Sequence, residues 1–333
     1  MAVLSIASIN LAIKPAAFLR RLREKRSRDA DLFIKQCSSG NISVHCKSVK
    51  YSPPRDKVGL QNKFYRILKK RYARSSHNRL LKILDGLSPT LNDIIKRKNG
   101  LSWRDIADKK CILDLHSYML VRYDQKNKKI YSYVRRFPDK ALWKDRINNE
   151  VGQLRTWVSL ILLSNNKGIM VHGVAIEKNS GAYLFMGPSH SGKTTAARLC
   201  AANSIISDDI TPIFKEGTNI FYTCAVPWSK NSLGKNPKMT QIKLPVRAIF
   251  FVQKSRKTSC KPVSGNEALR RILKDASSGP LIMGRLLMAE TRFMMNAVLF
   301  LRSLFSSLPV FELKVQKTPA FKNQFEKIIR KIA

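Results

Sequence analysis

Between an apolar run, Ala182 to Met186, and a segment of helical character, Ala196 to Ala202, stands Gly187-Pro188-Ser189-His190-Ser191-Gly192-Lys193-Thr194-Thr195. Strand, glycine-rich turn and helix in this order commit the chain to a β–loop–α unit. In that setting the pattern G-x4-G-K-[S/T] reads as a phosphate cradle. Gly187 and Gly192 allow backbone conformations closed to other residues, so that consecutive N–H groups can turn toward one anion at the positive end of the following helix. Lys193 adds a mobile charge suited to phosphate oxygens, and the Thr194 hydroxyl is placed to ligate Mg²⁺. A plain turn would have no use for Lys-Thr directly after its second glycine.

A chain of 333 residues can bury a sizeable core and has room for one large domain and a smaller one. No run of about 18 apolar residues occurs, which argues against a transmembrane helix. The apolar stretch Met1 to Phe18 leads into Arg20-Arg21-Leu22-Arg23, reversing the order of a secretory leader. It reads as a helix, either lying on an anionic membrane surface or packed on its own domain. Six cysteines lie far apart without C-x2-C pairs, which reads as free thiols in a reducing cytoplasm. The formal net charge of +40 is spread along the whole chain. An even spread favours general attraction to polyanions or acidic partners over a dedicated nucleic-acid patch. The chain leaves self-association open.

Residues 1–109 read as a basic, mainly helical or partly flexible arm, with a basic amphipathic piece at Phe64 to Tyr72 and short helices between Leu80 and Ile106. Residues 110–333 read as an α/β domain. Aromatic and β-branched residues on either side of Asp124 to Lys128 predict a hairpin of 112–123 with 129–135. Apolar residues at helical spacing predict a helix over 141–163, stopped at Asn165-Asn166-Lys167-Gly168. Strands are predicted at 169–176, 182–186, 204–214, 246–253 and 310–315, and helices at 267–273, over most of 282–304, and at 321–332. Trp143 and Trp157 read as core. His45, His77 and His116 read as ordinary structural histidines.

Fourteen residues beyond Thr194 comes Asp208 of Ser207-Asp208-Asp209, at the end of an apolar strand. Two carboxylates one strand after a phosphate loop suit a nucleotide enzyme, which needs one for Mg²⁺ and one for an acceptor's proton. A surface Asp-Asp turn is the plainer alternative.

His172-Gly173-Val174, the loop Gly187 to Thr195 and Ser207-Asp208-Asp209, in this order and at this spacing, resemble the catalytic domain of the HPr kinase/phosphorylase family. That domain is itself similar to the nucleotide domain of phosphoenolpyruvate carboxykinase. Val226-Pro227-Trp228-Ser229, Ala248 to Gln253 and Pro262 to Arg271 are similar to HPr-kinase-like proteins of peptide natural-product clusters. The resemblance covers residues 110–315 and implies a mixed-sheet α/β P-loop fold that binds ATP and Mg²⁺. It implies that Lys193 and His172 lie at the phosphates, that Asp208 is the base for the acceptor hydroxyl, and that Asp209 with Thr194 holds the metal. The family's Glu-Ile-Arg-Gly-type segment has no counterpart after Asp209. A basic loop, Pro227 to Lys238, stands in its place, which points away from HPr as the acceptor and toward an acidic protein, peptide or small molecule drawn by Lys230, Lys235 and Lys238. His190 occupies a loop position where a small residue is usual. The expected activity is Mg-ATP-dependent phosphoryl transfer to a hydroxyl. The rivals are a nucleotide-binding regulator that hydrolyses slowly or not at all, and a nucleic-acid-dependent ATPase.

Overall fold

The computed structural model describes strand segments 3–6, 9–14, 34–35, 42–49, 112–114, 119–124 and 129–135, residue 127, and the stretches 143–201, 204–217, 220–226, 243–274 and 291–332. These residues form two sheets. The first holds β1 (Val3–Ile6), β2 (Ile9–Lys14), β3 (Ile34–Lys35), β4 (Ile42–Val49), β5 (Ile112–Asp114), β6 (Met119–Asp124) and β7 (Lys129–Arg135), in the order β3-β1-β2-β4-β7-β6-β5. Residues 3–6 and 9–14 are therefore extended, where a helix was expected over 1–18. Ile9, Leu11 and Ile13 alternate with Asn10, Ala12 and Lys14, a period of two that belongs to a strand; the basic residues that follow gave the segment its helical look.

The hairpin β6–β7 forms as predicted. It does not join the sheet of the glycine loop, because β4 pairs in parallel with β7 from Ser43↔Lys129 to Val49↔Arg135. The seven-stranded sheet thus runs across the boundary expected at 109/110. Parallel pairing between distant segments leaves no local signal in either of them. Phe64 to Tyr72, Leu80 to Ile106, His77, His116 and the basic loop Pro227 to Lys238 lie outside the described residues.

The second sheet contains β8 (Gly168–Lys178), β9 (Gly181–Met186), β10 (Ile205–Ser207), β11 (Ile210–Glu216), β12 (Ile220–Cys224), β13 (Lys243–Lys254), β14 (Ser259–Pro262) and β15 (Val310–Val315). It is mixed. β9, β13 and β15 run parallel as neighbours, while β8, β11, β12 and β14 pair antiparallel. The contacts β8–β9, β9–β13, β13–β12, β12–β11 and β11–β8 form a closed ring of pairings. β10 and β11 follow one edge of β8 and are interrupted only at Asp208-Asp209.

Five helices are described: α1 (Trp143–Ser164), α2 (Lys193–Ala201), α3 (Gly265–Lys274), α4 (Thr291–Ser307) and α5 (Phe321–Ile332). α1 ends where the Asn-Asn-Lys-Gly signal placed it. Asn166 takes a left-handed φ of 51°, Lys167 N–H bonds Leu162 C=O at 2.8 Å, and Asn166 N–H bonds Leu163 C=O at 3.0 Å. These two bonds satisfy carbonyls that the helix would otherwise leave without donors.

Alternation along the strands builds a core on each face of the sheet. Leu184, Met186, Ile249 and Phe251 turn to one cluster, which includes Leu154, Trp157 and Ile161 of α1 together with Leu301 and Leu304 of α4. Their neighbours Tyr183, Phe185, Ala248 and Phe250 turn to the other, with Ala196 and Ala197 of α2 and Phe321, Phe325 and Ile329 of α5. The second face is aromatic: Phe325 lies 5.4 Å, centroid to centroid, from both Phe185 and Phe250. The result is an α/β layer arrangement that clamps β9, and with it the loop that follows, from both sides. Ile130 of β7 joins the first cluster, which is where the two sheets meet. Among the described residues, no helix is long and apolar enough to cross a membrane.

Candidate functional site

The glycine loop leaves β9 at Gly187 and enters α2 at Lys193. Gly187 has φ 143°, and a Cβ there would lie 3.0 Å from both Val252 C=O and Ser191 Oγ, so the position admits only glycine without a shift of the backbone. Gly192 has φ 100°, and its carbonyl accepts the first helical bond from Ala196 N–H at 2.8 Å. His190 is exposed and left-handed at φ 65°, with Pro188 and Ser189 exposed beside it. Ser191 N–H closes a turn to Pro188 C=O at 3.2 Å. Thr195 is half-buried on the first turn of α2. Lys193 is 6% exposed and folds back over its own loop, where Nζ donates to Gly187 C=O at 2.8 Å and to Pro188 C=O at 2.7 Å. A buried ammonium needs such partners.

Register brings the other expected residues to this loop. Gly173 of β8 pairs with Met186 of β9, and His172 pairs with Ile210 of β11, so His172, the start of the loop and the two aspartates share one end of the sheet. Between β10 and β11, Ile210 N–H bonds Asp208 C=O at 3.1 Å around Asp209, whose φ is 77°. Those are the marks of the strained γ-turn, rare outside sites that need it. The turn is held by Gly173 N–H donating to Asp209 C=O at 3.1 Å, and by Thr211 Oγ1 donating to Gly173 C=O at 2.9 Å.

The strained turn sends the two carboxylates to different neighbours. Asp208 is 5% exposed, and its Oδ1 accepts a hydrogen bond from Thr194 Oγ1 at 3.1 Å. Asp209 accepts from Arg155 Nη2 at 3.1 Å on Oδ2, and its Oδ1 lies 3.7 Å from His172 Nε2. The resemblance gave the metal side to Asp209; the hydroxyl of Thr194 is against Asp208.

Two residues of the site escaped the sequence reading. Arg155 comes from α1, whose surrounding positions from Leu154 to Ser164 are otherwise buried; a guanidinium on such a helix signals a paired charge. Lys254 ends β13, and a Cβ at Gly192 would lie 3.3 Å from its Cγ. It makes no ion pair among the described residues. Its signal was position, since ligands of parallel sheets sit beyond the carboxyl ends of the strands.

Taken together, the site offers three cations (Lys193, Arg155 and Lys254), a helix N-terminus, one hydroxyl–carboxylate pair and a second carboxylate nearer solvent. That set suits a polyanion plus a divalent cation. Among the described residues there is no group of three or more His, Cys, Asp or Glu able to hold a metal. Thr194 and Asp208 together offer a divalent cation two oxygen ligands.

Residues 146–330 match the family model described as ScmC, SynChlorMet cassette protein ScmC. No curated protein matches the sequence. The matched region begins inside α1, ends inside α5 and contains every residue of the site, while the seven-stranded sheet lies outside it.

Proposed function

Because that match covers more than half of the chain, the protein belongs to the ScmC family, the SynChlorMet cassette proteins, and we propose that it is a Mg-ATP-dependent kinase built on an HPr-kinase-like P-loop domain. Phosphoryl transfer is mostly positioning and charge neutralisation, and the site supplies both. The observation that carries the reading is the 3.1 Å bond from Thr194 Oγ1 to Asp208, directly after the glycine loop. It is the pairing of loop hydroxyl and strand-end carboxylate that holds Mg²⁺ in P-loop enzymes.

In this reading Lys193 exchanges its loop carbonyls for β- and γ-phosphate oxygens, and the loop N–H groups before α2 face the same anion. Thr194 and Asp208 would hold Mg²⁺, which supplies neutralisation of charge on the phosphates. Asp209 takes the proton of the acceptor hydroxyl. Arg155 and His172 fix the direction of its carboxylate. The roles of Asp208 and Asp209 are thus exchanged relative to the resemblance. The acceptor is a hydroxyl on an acidic protein, peptide or small molecule, in keeping with the basic character of the chain.

The Arg155–Asp209 ion pair also favours a second reading, a nucleotide-binding regulator that turns over slowly, because a carboxylate engaged by a guanidinium is less available as a base.

Equilibrium Mg-ATP binding to the wild-type protein and to Lys193→Ala, followed by label transfer from γ-labelled ATP into a host lysate, tests the proposal. Affinity should fall about a hundredfold or more in the variant, and label should move only with the wild type. Equal binding by a folded Lys193→Ala protein removes the phosphate-loop assignment. Tight binding with no transfer selects the regulator.

A further inference from the structure

A groove of about 570 Å³ opens between α5 and two strands, the edge strand β14 and its neighbour β15, and none of the glycine-loop residues lines it. Its size lies within the range of small-molecule sites. Phe311, Ile328 and Ile332 pack against the aromatic core and also line the groove, together with Pro262 and Pro309. Cys260 adds to the apolar wall, since burial pushes its thiol up to about 11 and keeps it neutral at physiological pH.

Thr258 and Ser259 add hydroxyls from the strand side, and the charged lining is confined to the helix. Lys327 and Lys331, four residues apart on α5 and therefore on one helix face, are both exposed, and neither is ion-paired among the described residues. Gln324, one turn earlier, keeps an amide oxygen that finds no donor among the described residues, so the wall retains hydrogen-bonding capacity.

A peptide adding to the sheet would be a poor occupant. Val263 N–H points inward to Val310 C=O at 2.8 Å, so by alternation the outward positions of β14 are Cys260 and Pro262. Pro262 has no N–H to give, a device that blocks edge pairing.

From this lining we infer that the groove is a binding site for a small amphipathic carboxylate, with an acyl or aromatic body against Phe311, Ile328 and Ile332 and its anionic head at Lys327 and Lys331. The site is separate from the phosphate loop, and its test needs no kinase activity.

Dodecanoate, below its micelle-forming concentration, is titrated calorimetrically into the full chain, with dodecyltrimethylammonium as the cationic control. Saturable binding of one dodecanoate per chain is expected, with no binding of the control over the same range. The double variant Lys327→Glu/Lys331→Glu should bind at least tenfold more weakly. Independently of any variant, saturating dodecanoate should slow alkylation of Cys260 in the wild-type protein, read by peptide mass spectrometry. The inference is overturned if dodecanoate does not bind or binds without saturation, if the cationic chain binds as well, if the double variant binds as tightly, or if Cys260 gains no protection. A segment of the chain already seated in the groove would produce the first and last of these results.

Discussion

On the α2 flank of the site a carboxylate is buried and bonded to a hydroxyl, whereas on the α1 flank the adjacent carboxylate is half-exposed and held by a guanidinium and an imidazole. Asp208 and Asp209 are neighbours in sequence with the same chemistry, yet the γ-turn around Asp209 leaves one against Thr194 and the other against Arg155 and His172. A carboxylate at 5% exposure beside Thr194 is placed to complete a cation's shell. One that is 38% exposed, and oriented by Arg155 and His172, is placed to meet a second molecule. The contrast shows how a single strained turn can give two adjacent carboxylates different partners and different exposure.

The strongest way to break this comparison is Asp209→Asn. The amide keeps the shape and loses the proton acceptor, so single-turnover transfer should fall about 10²- to 10⁴-fold while Mg-ATP affinity stays within a few-fold of wild type. Loss of binding instead would put Asp209 back on the metal side. Asp208→Asn should do the reverse, weakening nucleotide binding roughly tenfold in Mg²⁺ and little in EDTA, the size of one charge-assisted bond. If binding in the two buffers drops equally, Asp208 does not serve a cation.

A smaller effect is expected of Lys254→Ala. Its side chain crosses the loop at Gly192 from an exposed position, so ATP affinity should fall about fivefold at low salt and less at high salt. An effect independent of salt would mean that the lysine packs the loop and does not contact the nucleotide.

The smallest change serves as the control. Lys178 Nζ bonds Glu326 at 2.7 Å, tying α5 to β8 on the α2 side and holding the Glu326 carboxyl below its ordinary value of 4.5. A lowered folded value means that the contribution to stability is present above pH 4.5 and is lost as pH falls through the lowered value. Glu326→Gln should therefore reduce Tm slightly at neutral pH, with the gap to wild type closing in acid, and should leave ATP binding and transfer unchanged. A change in either function would mean that the α2 flank transmits strain from α5.

The glycine loop and its order were legible because they are local: strand, two glycines, Lys-Thr and helix lie within twenty or so residues, and each piece has its own signature. The length of α1 and its stop were legible for the same reason. β12 and β14 were not read, being only five and four residues long, and β14 is polar and half-exposed or exposed throughout. The strands of residues 3–14 carried their period of two, but it was outweighed by the basic cluster after them. Arg155 was invisible as a site residue because nothing in α1 announces a partner 54 positions away.

Acting alone, the order of residues determined that this chain makes an α/β unit with a glycine loop between strand and helix, and that two carboxylates follow one strand later. Both are consequences of short-range backbone preference and hydrophobic period. The tertiary structure decided which carboxylate meets Thr194, which meets Arg155, and which lysines surround the loop. It also decided that the hairpin at 119–135 pairs with the N-terminal strands. Those outcomes depend on the register between strands and on a single residue at positive φ. Neither is encoded in the identity of neighbouring residues, because each is set by contacts that form only when distant segments pack together.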